Sequence, residues 1–188
     1  MNCAGVTIAN CARFRSVSPI LQRWTYRSAD GSRSFIIPDG CRDLIHWRLP
    51  GEIPRWTLSH LQDGVMVADT PRDAVLVGYR LVPGAELPRG ILAELARRPL
   101  DGPDQAIAGV VDAVRCDRRA MEALAAVAEL SLSVEAAAAE LGVSRRTLER
   151  VLLRHTGRAP VLWSQLARAR AAATAEQIST RYPSGSLT

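Results

Sequence analysis

The pattern of hydrophobic positions divides the chain into a strand-rich first half and a helical second half. Between residues 20 and 85, short apolar runs alternate with polar positions and are interrupted by Gly and Pro. This pattern is carried by residues 35–37, 45–49, 65–67 and 75–81. A period of two is typical of half-buried strands, and several short strands separated by turns predict a β-sandwich or a small barrel.

After Pro88, the spacing of the apolar residues changes from alternation to the period of a helix. Asp104 is expected to cap one helix, and Asp117 to cap the next, each followed by apolar residues at helical spacing. The predicted fold class is therefore α+β, with four segments. These are a β-rich domain over residues 1–100, a linker and connecting helix over 101–118, a helical region over 119–175, and a disordered tail over 176–188.

Two short helices separated by a glycine are predicted within residues 133–155. Ser133 opens an alanine-rich helix, Gly142 can adopt the left-handed conformation that ends it, and Ser144 caps a second helix. A helix, a short turn containing Gly and a second helix make a helix-turn-helix unit. Ala137 and Ala138 on the first helix can then meet Leu148 and Leu152 on the second.

The charge is concentrated in the same part of the chain. The formal net charge is +5, and all 24 basic residues are arginine. Residues 142–170 contain seven arginines and a single acidic residue, Glu149, whereas residues 1–115 are almost balanced. A basic segment confined to one short part of the chain predicts an acidic partner, and double-stranded DNA is the first candidate.

The second helix carries the candidate DNA-binding side chains. They are Ser144, Arg145, Arg146, Thr147, Glu149, Arg150 and Arg154. Arginine can donate two hydrogen bonds to guanine and glutamate can accept one from cytosine, while the hydroxyls and the helix N-terminus can hold phosphates. The alternative is a solvated amphipathic helix whose arginines only keep it soluble.

Part of this region resembles a known family. The segments AAAAELGVSRRTLER (residues 136–150) and HTGRAP (155–160) are similar to the first helix-turn-helix of AraC/XylS-type transcription regulators. The segment LARARA (166–171) is similar to the linker helix that follows it in that family. The resemblance implies a bacterial, sequence-specific regulator that inserts the 144–155 helix into the major groove.

A weaker resemblance covers the strand-rich half. The segments PDGCRDLI (residues 38–45) and GYRLVPGA (78–85) look like motifs of a sensor-like domain found ahead of AraC-type DNA-binding regions. Such domains are β-rich and cupin-like, so the resemblance implies a cupin-like barrel or sandwich that senses a small-molecule effector or dimerises. The order of the two halves, strands first and helices second, agrees with this interpretation.

The chain departs from the family after Ala173. The family carries a second helix-turn-helix, but only 15 residues follow Ala173 and none resembles it. A single recognition helix should bind weakly and with little sequence preference, unless a homodimer supplies a second one. The alternative function is therefore a small-molecule-binding or dimerisation module that has lost operator binding with its missing second helix-turn-helix.

A possible effector pocket is predicted within the strands. His46 and Arg48, together with Tyr79 and Arg80, could line the interior of a barrel and hold an anionic or aromatic molecule. The competing interpretation is that Ile45, Trp47 and Leu49 belong to the ordinary hydrophobic core, while His46 and Arg48 face water.

The remaining motifs argue against other classes of protein. Cys3, Cys11, Cys41 and Cys116 form no Cys-x-x-Cys pair and the histidines do not cluster with them, so we predict no metal site and no cofactor. No nucleophile elbow, phosphate loop or His-Glu-x-x-His motif is present, so we predict no enzyme. No apolar run approaches the roughly 18 residues of a membrane span and no secretory signal is visible, so we expect a cytoplasmic protein with no membrane partner.

Overall fold

Antiparallel strands form the first half of the protein. The computed structural model describes residues 18–98, 102–128 and 133–181. Its strands are β1 (Ile20–Arg27), β2 (Ser32–Ile36), β3 (Asp43–Arg48), β4 (Arg55–Leu58), β5 (Met66–Thr70), β6 (Val75–Leu81), β7 (Ala85–Glu86) and β8 (Arg115–Cys116). Strands β2, β3, β5 and β6 overlap the four runs predicted from the sequence, whereas β1 and β4 lie outside those runs.

The main sheet has four strands in the order β1-β6-β3-β4. Among the described strands, β2 pairs with β5 alone and β7 with β8 alone. Strand β6 lies inside the sheet, and Gly78 lets it approach the indole ring of Trp24 on β1, since a Cβ at this glycine would collide with that ring. Helices α1 (Ile91–Arg97) and α2 (Pro103–Ala108) pack on one face through Leu95 and Ile107.

The described strands form no closed barrel. Closure would require the edge strands β1 and β4 to pair with each other or with the β2–β5 pair, and none of these pairings occurs among the described residues. The first half is therefore an open antiparallel sheet with a separate two-stranded ribbon, and the cupin-like barrel expected from the sequence is not seen. The ribbon exposes four large apolar residues to solvent: Phe35, Ile37, Val65 and Val67.

Four helices follow, namely α3 (Arg118–Ala128), α4 (Val134–Glu140), α5 (Arg145–Thr156) and α6 (Pro160–Arg181). The predicted cap of α3 is confirmed, because the Asp117 carboxylate accepts a hydrogen bond from the Ala120 amide at 2.9 Å. The cap predicted at Asp104 is wrong. Helix α2 instead begins after Gly102, and Asp104 lies in its first turn.

The last helix is longer than the sequence analysis predicted. Residues 176–181, assigned there to a disordered tail, belong to α6, and residues 182–188 lie outside the described part of the chain. Within the described residues, no helix is both long and apolar enough to cross a bilayer.

Trp163 connects the helices to the sheet. Its side chain is fully buried, and its ring lies directly against Gly40, which has a φ of 70°. Two polar contacts cross the same boundary, because His155 lies 3.0 Å from a carboxylate oxygen of Glu86 and Arg158 pairs with Asp63. The helices therefore rest on the loops at one end of the sheet.

Candidate nucleic-acid interface

The turn between α4 and α5 is fixed by local hydrogen bonds. Gly142 has a left-handed φ of 65°, and its amide donates to the Ala139 carbonyl at 3.0 Å. The amide of Val143 donates to the Ala138 carbonyl, also at 3.0 Å, which completes a Schellman motif. The Ser144 hydroxyl then accepts from the Thr147 amide at 3.1 Å and caps α5.

The two helices pack through the residues that the sequence pattern indicated. Leu148 is 1% exposed and Leu152 is fully buried, and both belong to one core cluster with Ala137 and Ala138 of α4. Alanine has only a methyl group, so the two helix backbones can approach closely. The predicted helix-turn-helix and its inward-facing leucines are therefore present.

The N-terminal turn of α5 is occupied by ion pairs. The Arg145 guanidinium donates to Glu149 at 2.8 Å and also pairs with Glu135 of α4. All three side chains are at least partly exposed, so these pairs are screened and contribute little stability. They do, however, hold Arg145 between Glu149 on its own helix and Glu135 of α4.

Arg146, Arg150 and Arg154 form the solvent-facing row of α5, which we call the arginine row. They are spaced four residues apart, so they project from one side of the helix. All three are exposed, and none has a hydrogen bond or ion pair to another described residue. Leu153 lies beside the row and is 59% exposed.

Ser144 and Thr147 stand at the start of this face. Their hydroxyls lie 2.9 Å apart, and the Ser144 hydroxyl is exposed. The structure therefore divides the seven predicted residues into three groups: an ion-paired couple, two hydroxyls at the helix start, and a row of three cations without a partner in the described part of the chain. The sequence predicted all seven residues as one DNA-binding set and did not show that Glu149 is paired with Arg145.

His46 and Arg48 line a second candidate site, a cavity on the sheet. His46 is 3% exposed, whereas the neighbouring Trp47 is only partly buried and donates a hydrogen bond to Thr57 at 2.8 Å. The interpretation in which His46 faces water is therefore wrong, whereas Arg48 is exposed as that interpretation expected. Burial, together with the nearby Arg48 guanidinium, lowers the pKa of His46.

Tyr79 lies on the same face of the sheet as His46 but does not line the cavity, and Arg80 does not share that face. Adjacent residues of a strand point to opposite sides of the sheet. The Tyr79 hydroxyl donates to Asp104 at 2.6 Å, and burial followed by this contact raises the pKa of Tyr79. Arg80 instead bonds Asp43 at 3.2 Å and Asp39 at 2.9 Å on the opposite face, which is a structural ion-pair cluster.

The comparisons with known proteins do not identify the chain. No family model, curated protein or solved structure matches it. No group of three or more potential metal-binding side chains occurs in the described ranges either. Sequence reasoning missed Arg23, which lines the cavity and forms an ion pair with Asp104 at 2.7 Å across 81 positions. No local pattern marks such a pair.

Proposed function

We propose that this protein is a sequence-specific DNA-binding transcription regulator of AraC/XylS type that places α5 in the major groove. The observation that supports the proposal best is the arginine row, because its three guanidiniums face solvent without a described partner. A row of cations on the exposed side of the second helix of a helix-turn-helix matches the way such units read DNA.

The dimensions of the row suit a short DNA site. From Arg146 to Arg154 the helix rises about 12 Å at 1.5 Å per residue, which corresponds to about three or four base pairs. Arg146 and Arg150 would donate to the guanine edge, and the Ser144 and Thr147 hydroxyls would hold phosphates. Glu149 uses one carboxylate oxygen to hold Arg145 at 2.8 Å, and its other oxygen would accept from cytosine.

A single row of this length neutralises few phosphates, so we further propose that the protein binds as a homodimer. A two-fold dimer would present two recognition helices about 34 Å apart, on successive turns of the duplex. Sedimentation velocity of the full chain, with and without DNA, tests this part. A species that remains monomeric on DNA would contradict it.

The DNA-binding proposal is tested by fluorescence anisotropy with two labelled duplexes. One carries the region upstream of the protein's own coding sequence, and the other a shuffled version of it, each at two salt concentrations. Arg146→Ala and Arg150→Ala should each cost about 1–3 kcal/mol on the upstream duplex and less on the shuffled one. Arg27→Ala, which removes an exposed arginine from the sheet, is the control for net charge.

The outcomes of this experiment separate two functions. A preference for the upstream duplex that Arg146→Ala weakens, while Arg27→Ala does not, supports the proposal. Equal binding to both duplexes that collapses with salt, or equal effects of all three variants, refutes it. The second candidate function is a small-molecule-binding module, and the cavity beside the buried His46 side chain favours it.

A further inference from the structure

A pocket lies where the helices rest on the sheet, at the C-terminal end of α5, and we call it the boundary pocket. Arg154 and Thr156 of α5 line one wall, and Arg42 and Gly84 of the strand-rich half line the other. Its volume is about 210 Å³. Pockets for small molecules usually begin at roughly 300 Å³, so this one suits a compact chemical group better than a whole small molecule.

The strand-rich half contributes one cation, Arg42, to the described lining of this pocket. Arg42 is exposed, although its neighbours Cys41 and Asp43 are each only 2% exposed. The Arg42 carbonyl accepts a hydrogen bond from the Leu81 amide at 2.8 Å, and the Asp43 amide donates to the Ser59 hydroxyl at 2.8 Å. The backbone that carries Arg42 is therefore fixed, while its guanidinium has no hydrogen bond or ion pair to another described residue.

Packing between the two halves sets where Arg42 lies relative to α5. Gly40, two residues before it, lies directly against the ring of Trp163. His155, in the last turn of α5, lies 3.0 Å from a carboxylate oxygen on β7. Arg154 precedes His155 and is the last member of the arginine row. A cation of the strand-rich half is therefore held across the boundary pocket from the end of that row.

The chemistry of the two walls favours a phosphate group. Arg42 and Arg154 are both exposed cations, and the guanidinium fork matches the oxygens of a phosphate. Glu86 contacts His155 and is not part of the described lining. The floor of the pocket includes the last turn of α5, and the carbonyl end of a helix repels anions. A phosphate would therefore bind at the mouth of the pocket, between the two side chains.

The length of the arginine row brings the DNA backbone to this mouth. With Arg146 and Arg150 at base edges, Arg154 lies one turn, or about 6 Å, further along α5. The major groove is about 12 Å wide, which equals the rise of about 12 Å from Arg146 to Arg154. Arg154 would then reach the wall of the groove, where the phosphates lie, and Arg42 would face the same wall from the other side of the pocket.

We propose that the strand-rich half binds DNA directly, with Arg42 and Arg154 holding backbone phosphates at the edge of the groove that α5 enters. The inference rests on the proposed function, because it takes α5 as the DNA-binding helix. It goes further by making the strand-rich half part of the DNA interface. A phosphate contact from each half would also fix the angle at which α5 enters the groove.

Fluorescence anisotropy with the upstream and shuffled duplexes at several salt concentrations tests the contact. Each phosphate contact contributes about 0.9 to the slope of log K against log salt. Arg42→Gln should therefore reduce the slope by about 0.9 and weaken both duplexes alike, by about eightfold at 0.1 M salt. Arg42→Lys keeps the charge and should restore most of the slope.

Arg27→Gln is the matched control. Arg27 is exposed and pairs with Val75 at one end of β6, whereas Asp43, beside Arg42, pairs with Arg80 at the other end. The control removes the same charge far from the boundary pocket, so it should leave the slope nearly unchanged. Arg42 is exposed, so its glutamine variant should unfold in urea as the wild type does.

The outcomes distinguish this inference from the proposed function. A wild type that prefers the upstream duplex, with equal slopes for Arg42→Gln and Arg27→Gln, would overturn the contact and leave the proposed function standing. Equal binding of both duplexes, with a slope reduced by Arg42→Gln alone, would support the contact and refute sequence-specific reading. A wild type that binds neither duplex would overturn both.

Discussion

Replacing Leu148 with alanine should destabilise the protein strongly. The side chain is 1% exposed and lies in the core shared by α3, α4, α5 and α6. The substitution removes three carbons, and each buried methylene contributes about 0.8 kcal/mol, so the transfer of these atoms alone costs about 2.4 kcal/mol. The cavity left between the helices increases the cost, and the expected total is about 2–5 kcal/mol.

Urea denaturation followed by far-ultraviolet circular dichroism measures this loss. Leu153→Ala is the matched control, because Leu153 lies on the same helix but is 59% exposed. Its effect should stay within about 0.5 kcal/mol, as for most surface substitutions. Both variants change helix propensity by the same amount, so the difference between them isolates burial.

One result would refute this assignment of the buried side of α5. If Leu148→Ala and Leu153→Ala lowered the free energy of unfolding by similar amounts, the inward side of α5 would be assigned wrongly. The arginine row would then not be its solvent-facing side, because the two sides are defined by the same helical phase.

Three further substitutions test other parts of the structure. Gly40→Ala should destabilise by about 2–4 kcal/mol in urea denaturation, because the new methyl group collides with the Trp163 ring and a φ of 70° strains alanine. Ser144→Ala should lower the stability by about 1 kcal/mol in the same assay, because α5 loses its N-cap. Asp104→Asn should change the pH dependence of unfolding. The hydrogen bond that Arg23 donates to Asp104 lowers the pKa of this carboxyl most, and the hydrogen bond from Tyr79 lowers it further. The ionised carboxylate therefore stabilises the fold above pH 3.8, and this stabilisation is lost as the pH falls below that value.

Each of these expectations has a control. Gly51→Ala shares the left-handed backbone, with a φ of 73°, but has open space around it, so it should cost clearly less than Gly40→Ala. Ser144→Asn keeps a capping group, and equal losses for asparagine and alanine would contradict the cap. Asp104 is 60% exposed, so its effect is small and should shrink in salt. A difference between wild type and Asp104→Asn that persists unchanged at pH 2 would refute the pairing.

The helix-turn-helix could be predicted because its determinants are close together in the sequence. Ser133, Gly142 and Ser144 act through hydrogen bonds to amides and carbonyls no more than five residues away. Leu148 and Leu152 repeat at the period of the helix, so their side of α5 follows from spacing. These signals need no knowledge of the rest of the chain.

The cavity could not be predicted in the same way. Strand β3 has apolar residues at 45 and 47, so its pattern favours burial of Trp47. Trp47 is nevertheless only partly buried, whereas His46 is buried and Arg48, at the end of the strand, is exposed. The register with β4 and β6 decides which side faces α1 and α2, and that register is set by residues far along the chain. The same holds for Arg23 and Asp104, which meet only once the sheet has formed.

The amino-acid sequence alone determined the short-range features: the α+β order, the capped helix pair and the excess of arginine near α5. The tertiary structure decided the sheet order, the absence of a closed barrel among the described strands, and the pairing that leaves Arg146, Arg150 and Arg154 facing solvent. The physical reason is the range of the interactions. A helix forms its backbone hydrogen bonds within four residues, whereas a strand depends on partners tens of residues away.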